Sequence, residues 1–128
     1  MHLDHAGIAT TDLESLLFCF EDLLNAEIAH EELLDGMRIT FLDIGGDYLE
    51  LIEPIGEDGT IARYLDQNSP GIHHLAFATD DIDAALDRAR EQGIELIDEE
   101  PRSGAWGHDV AFLHPSSTGG ILVEFVEH

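Results

Sequence analysis

The chain has 128 residues, room for one domain and little more. Apolar residues make up 44%, enough for a folded core that needs no covalent staple. Asp and Glu number 28 against five basic residues, all Arg, and the formal charge of −23 excludes nucleic acid and anionic membranes as natural partners.

No apolar run approaches the ~20 residues of a membrane span. Met1-His2-Leu3-Asp4-His5 lacks the basic and apolar stretches of a secretory signal. The one cysteine, Cys19, cannot form an internal disulfide. A cytoplasmic location is therefore expected. The acids are spread along the chain rather than gathered in a tail. Such a surface suits concentrated salt, where the Debye length falls to about 3 Å at 1 M, and reads as that of a halophile.

In chain order, Leu3–Thr10 reads as a strand around His5. Asp12 is an N-cap candidate, and Leu13, Leu16, Leu17, Phe20, Leu23 and Leu24 form one apolar helix face. Cys19 lies within that helix and is expected to be buried and inert. Strands follow at Ala26–Leu34, Met37–Ile44 and Tyr48–Ile52, with turns at Asp35-Gly36 and Gly45-Gly46-Asp47. Gly56-Glu57-Asp58-Gly59 marks a boundary between halves, and a short helix covers Thr60–Asp66.

The second half repeats the pattern. Ile72–Thr79 is a strand, Asp81 an N-cap, and Ile82, Leu86 and Ala89 one helix face that stops at Gly93. Strands are expected at Ile94–Ile97, Asp109–Leu113 and Ile121–Val126, with a turn at Ser103-Gly104. His5 and His74 are 69 positions apart, Phe41 and Phe112 71, and Glu50 and Glu124 74. His, Asp and Glu recur in the same order in both halves, so an internal duplication is expected. Its modules span about 1–55 and about 70–128 of one 1–128 domain.

The duplication matches His5 with His74 and Glu50 with Glu124. Each lies in an expected strand, which holds a side chain more rigidly than a loop does. Both Glu residues have apolar neighbours, so they face the opposite side of the sheet from the core. Two imidazoles and two carboxylates suit Co²⁺, Mn²⁺, Fe²⁺, Ni²⁺ or Zn²⁺ rather than a thiolate-loving ion. On a six-coordinate ion they leave two positions for a chelating substrate.

The chain resembles the vicinal oxygen chelate superfamily, or glyoxalase fold, and within it the methylmalonyl-CoA epimerase family. The resemblance spans essentially the whole chain. It is carried by His5-Ala-Gly-Ile-Ala-Thr10, Tyr48-Leu-Glu-Leu-Ile-Glu-Pro54, Gly71-Ile-His-His-Leu-Ala-Phe77, Pro101-Arg-Ser-Gly-Ala-Trp-Gly107, Val110-Ala-Phe-Leu-His-Pro115 and Gly119-Gly-Ile-Leu-Val-Glu124. It implies an α+β fold of two paired βαβββ modules in a curved mixed β-sheet, and a homodimer. Residue by residue it makes His5, Glu50, His74 and Glu124 the ligands of one divalent metal, with Co²⁺ first and Mn²⁺, Ni²⁺ or Zn²⁺ behind it. His73 then takes a structural or rim place.

The activity implied is interconversion of the (R) and (S) forms of an acyl-CoA by a metal-assisted 1,2-proton shift through an enolate. Two bases on opposite faces exchange roles in such a reaction. Glu124 is implied as one. For the other, the stretch before Gly36 is one residue shorter than the family's, which leaves Asp35 as the candidate, with Leu34, Glu31 and Glu32 close by. Ser116 stands where the family often has Lys, and Trp106 where it often has His. Arg63 or Arg102 is available for a phosphate of the substrate. Trp106 reads as a pocket lid or a packed loop aromatic, and His108 and His114 as neighbours of the ligands. A glyoxalase I-like isomerase, or a protein that only sequesters a small molecule, are the rival readings.

Overall fold

The computed structural model describes residues 1–128. Its elements in chain order are β1 (His2–Ala9), α1 (Leu13–Leu23), β2 (Glu27–Leu34), β3 (Met37–Asp43), β4 (Tyr48–Pro54), α2 (Thr60–Gln67), β5 (Gly71–Ala78), α3 (Ile82–Glu91), β6 (Arg102–Ser103), β7 (Asp109–Leu113) and β8 (Val123–Glu127). The strand order is β2-β3-β4-β1-β5-β8-β7-β6. β5 runs parallel to β8, whereas the β2–β3, β3–β4, β6–β7 and β7–β8 ladders are antiparallel, so the sheet is mixed as expected. No helix is long and apolar enough to cross a membrane.

The chain divides into two compact units. One comprises Met1–His5 with His74–His128, the other Ala6–His73. In the latter, Leu13 of α1 is fully buried with Ala26, Leu42 and Leu51, and Ile8, Leu16, Leu17, Phe20 and Leu49 pack around them. In the former, Ile82, Ala85, Leu86 and Ala89 of α3 pack on Ala111, Leu113 and Phe125 of β7 and β8.

The internal repeat is visible in how each unit starts its helix. Asp12 accepts from Ser15 N at 3.2 Å, and Asp81 accepts from Ala84 N at 3.0 Å. Thr10 Oγ1 accepts from Asp12 N, and Thr79 Oγ1 from Asp81 N, at 3.1 and 3.2 Å. A glutamate from a strand completes each cap. Glu53 Oε2 takes the Leu13 amide and Glu127 Oε1 the Ile82 amide, both at 2.8 Å. Glu53 and Glu127 each lie three residues after the duplicated Glu50 and Glu124. They satisfy donors that have no partner inside the helix, and their negative charge suits the positive end of its dipole.

Four local expectations need correction. Ile94–Ile97 is not a strand: only a single bridge joins Leu96 to Leu113. Side chains take the bonds that a ladder would use. Ser117 Oγ accepts from the Glu95 amide and Asp98 Oδ2 from the Phe112 amide, both at 2.9 Å. Ser103 belongs to the short strand β6, paired with Asp109, rather than to a turn. Leu23 and Leu24 leave the packed helix face. α1 ends there, Asn25 turns the chain with φ 52°, and Leu23 is 70% exposed. Cys19 is exposed, because Leu16, Leu17 and Phe20 take the packed side of that turn.

Candidate metal centre

His5 on β1, His74 on β5 and Glu124 on β8 converge within the first unit. One ligand atom from each lies within 4.8 Å of the others, and all three residues are buried. Strand periodicity explains the placement. His74 and Ala76 project to one side of β5, and Glu124 and Val126 to the same side of β8. Ala76, Val110 and Val126 form a small apolar cluster on that side. Val123 and Phe125 face the other way, into the α3 core. The Phe112 ring, opposite Glu124 on β7, packs edge-on against the His74 ring at 5.5 Å between centroids.

The atoms that meet are His5 Nε2, His74 Nε2 and Glu124 Oε1. The two nitrogens are 3.4 Å apart and lie 3.2 and 3.4 Å from Oε1. Asp4 Oδ2 lies 2.7 Å from the other nitrogen of His5, Nδ1, and Asp4 Oδ1 lies 2.5 Å from His128 Nε2. Burial pushes the Asp4 carboxyl up, but the bonds and charge of His5 and His128 outweigh it and hold it below the ordinary value. An ionised carboxylate only accepts, so His5 Nδ1 is the donor. A neutral His5 therefore turns a bare Nε2 toward the other two atoms.

A bare His5 Nε2 and the ionised Glu124 Oε1 repel at 3.2 Å unless a proton on His74 or a positive ion lies between them. Glu124 Oε1 is shielded from solvent and has no hydrogen bond of good geometry. Burial pushes the Glu124 carboxyl up, yet the imidazoles of His5 and His74, 3.2 and 3.4 Å away, hold it below its ordinary value. The carboxylate thus stays ionised where an uncompensated charge would be costly. Either a proton on an imidazole or a metal ion can compensate it. The donor set, two imidazole nitrogens and one carboxylate oxygen, fits a divalent first-row ion.

Glu50 is buried in the middle of β4 in the second unit, opposite Phe41 on β3. Asp35 sits at the exposed tip of the β2–β3 turn, with φ 49°. His73 packs its ring edge-on against Tyr64, 4.9 Å away, a structural place. Arg102 carries its guanidinium carbon 5.5 Å over the Phe112 ring, and its Nε donates to Asp98 Oδ1 at 3.1 Å. Arg63 is exposed on α2. Ser116 lies in the short 3₁₀ turn Pro115–Ser117, and its Oγ donates to Glu95 Oε2 at 3.3 Å. His114 Nδ1 accepts from the Ser116 amide and caps the same turn.

Asp4 and His128 were not legible as neighbours of the site. They lie at opposite ends of the sequence, and only the fold of the first unit brings them together. The single available signal was an acid immediately before His5. Trp106 stacks on His108 at 5.5 Å, and His108 on His128 at 4.0 Å. The ring of Trp106 is thus part of a packed stack, and its backbone is held at φ 63°.

The chain belongs to the Glyoxalase/Bleomycin resistance protein/Dioxygenase superfamily, whose family model matches residues 4–112. Within it, the chain is 37% identical over 125 residues to the mitochondrial methylmalonyl-CoA epimerase of Bos taurus, covering 95% of this chain and 71% of that protein. It is 38% identical over 126 residues to an ethylmalonyl-CoA/methylmalonyl-CoA epimerase of Cereibacter sphaeroides, covering 95% and 94%. A methylmalonyl-CoA epimerase solved in complex with methylmalonyl-CoA and NH4⁺ superposes with a TM-score of 0.92 at 36% identity, covering 98% and 93%.

Proposed function

We propose that this protein is an epimerase of methylmalonyl-CoA that inverts the carbon between the carboxylate and the thioester. The observation that carries this is the buried convergence of His5, His74 and Glu124 in a chain similar over nearly its whole length to epimerases of that substrate. Glu50 is the fourth ligand in this reading. Its burial in a strand and its match to Glu124 in the repeat support it. These residues would hold a divalent ion, which when bound would supply Lewis-acid stabilisation of the charge that develops as the α-proton leaves.

The chain's own residues do the rest. Glu124, ionised and shielded, is placed to accept a proton at its carboxylate and return it. Asp35 is the candidate for the opposite face, on the resemblance alone. Ala76, Val110 and Val126 are buried together on the same side of the sheet as Glu124, and such apolar surroundings strengthen charge interactions beside them. Arg102 over Phe112 offers a cation to an anionic substrate at the margin of that side.

The test is deuterium exchange. Metal-loaded protein incubated with methylmalonyl-CoA in D₂O should incorporate deuterium at the α-carbon and scramble its configuration, and a chelator should stop both. Folded, metal-loaded protein that exchanges nothing would sink the reading and bring forward a hemithioacetal isomerase of the same superfamily.

We also propose that the surface is built for concentrated salt. Twenty-eight acids against five arginines repel one another, and salt screens that repulsion. The thermal midpoint should rise by several degrees or more between 0.1 and 2 M KCl. A midpoint indifferent to salt would leave the protein acidic but not halophilic.

A further inference from the structure

Asp4 is an acid with little exposure that contacts two histidines and no backbone amide of a helix or turn. Its Oδ2 lies 2.7 Å from His5 Nδ1 and its Oδ1 2.5 Å from His128 Nε2. Neither contact is needed for the core, which is assembled from α3, β7 and β8. His128 in turn is held flat against His108, with ring centroids 4.0 Å apart and planes at 24°, and His108 lies against Trp106. A line of planar groups therefore leads from Trp106 through His108 and His128 to Asp4, and from Asp4 to His5.

We propose that Asp4 is a positioning residue for the metal centre, holding His5 so that its Nε2 faces His74 and Glu124, with His128 as the brace that holds Asp4. An imidazole can rotate about its bond to the strand and can carry its proton on either nitrogen. Only one combination places a bare nitrogen at the site. The bond from Nδ1–H to Asp4 selects that tautomer and that ring orientation together, and it raises the basicity of Nε2. His128 occupies the second oxygen of Asp4, so the carboxylate cannot swing away from His5 without breaking a second bond.

This inference rests on the metal-binding reading above, and its test separates the two. Wild type, Asp4→Asn, Asp4→Ala and His128→Ala would be titrated with Co²⁺, followed by visible absorption and by competition with a chelating dye. The ring ¹⁵N shifts of His5 would be recorded in the metal-free proteins. Asp4→Asn should weaken Co²⁺ binding by about 10–100-fold. His128→Ala, a change at a half-exposed side chain, should weaken it less but in the same direction. Wild-type His5 should show a protonated Nδ1 and a bare Nε2, and Asp4→Ala should show a mixture of the two tautomers.

A merely structural Asp4 would lower the thermal midpoint and leave Co²⁺ affinity and the ¹⁵N pattern of the folded protein alone. Folded Asp4→Asn and His128→Ala proteins that bind Co²⁺ within about twofold of wild type would overturn the proposal while leaving the metal centre standing. A wild type that binds no Co²⁺ would remove the metal reading, and this inference with it.

Discussion

Replacing Glu124 by Gln should slow α-proton exchange by about 10² to 10⁴-fold, the usual worth of a positioned acid–base group. Gln has nearly the same shape, so at a site 6% exposed the backbone has no reason to move. What disappears is the negative charge that faces His5 and His74 at 3.2 and 3.4 Å and the capacity to take a proton. The measurement is the rate of deuterium incorporation at saturating metal, compared with wild type at the same substrate concentration. A variant that exchanges within tenfold of wild type would remove Glu124 from the chemistry.

The same substitution should alter acid stability, and the sign follows from the direction of the shift. The imidazoles hold the Glu124 carboxyl below its ordinary value against the push of burial. The folded chain then binds this proton less readily than the unfolded chain does. The stabilisation is complete above about pH 4.3, the ordinary carboxyl value, and is lost as the pH falls through the lowered one. Metal-free wild type should therefore lose more stability over that window than Glu124→Gln does.

His74→Ala should abolish metal binding and exchange together. Removing one of two imidazoles breaks the trio, and the lost charge stabilisation of several kcal/mol corresponds to about three orders of magnitude in rate. The substitution also empties the space between the His5 and Phe112 rings, whose centroids each lie 5.5 Å from that of His74. Circular dichroism and a thermal melt show whether the protein remains folded. Isothermal titration with Co²⁺ and the deuterium assay then read the effect. The experiment also tests the sequestration alternative. A protein that only sheltered a small molecule would keep its ligand when the metal site is lost, whereas turnover needs the site intact.

Most elements were legible in the sequence because they depend on short-range chemistry. Asp12 and Asp81 precede apolar faces of period 3.6 and do cap α1 and α3. The Asp35-Gly36 turn has both residues at positive φ, as such a pair allows. The repetition of His and Glu at matched strand positions pointed to His5, His74 and Glu124, because alternation along a strand decides which side a residue faces before any neighbour is known. The loss of a strand at Ile94–Ile97 was not legible. Its apolar pattern suits a strand, and only the presence of Ser117 and Asp98 beside it diverts the backbone bonds.

Sequence alone determined the helix caps, the repeat and the acidic composition, and pointed to residues able to hold a metal, since each depends on residue type and spacing along the chain. Tertiary structure decided that three of those residues meet at one point. It also decided that Asp4 and His128, 124 positions apart, grip one another beside that point. Glu53 and Glu127 became caps of helices that lie 40 and 45 positions earlier in the chain. The physical reason is common to all three. A hydrogen bond or a ligand set needs atoms within about 3 Å, and pairing of strands distant in sequence brings those atoms together.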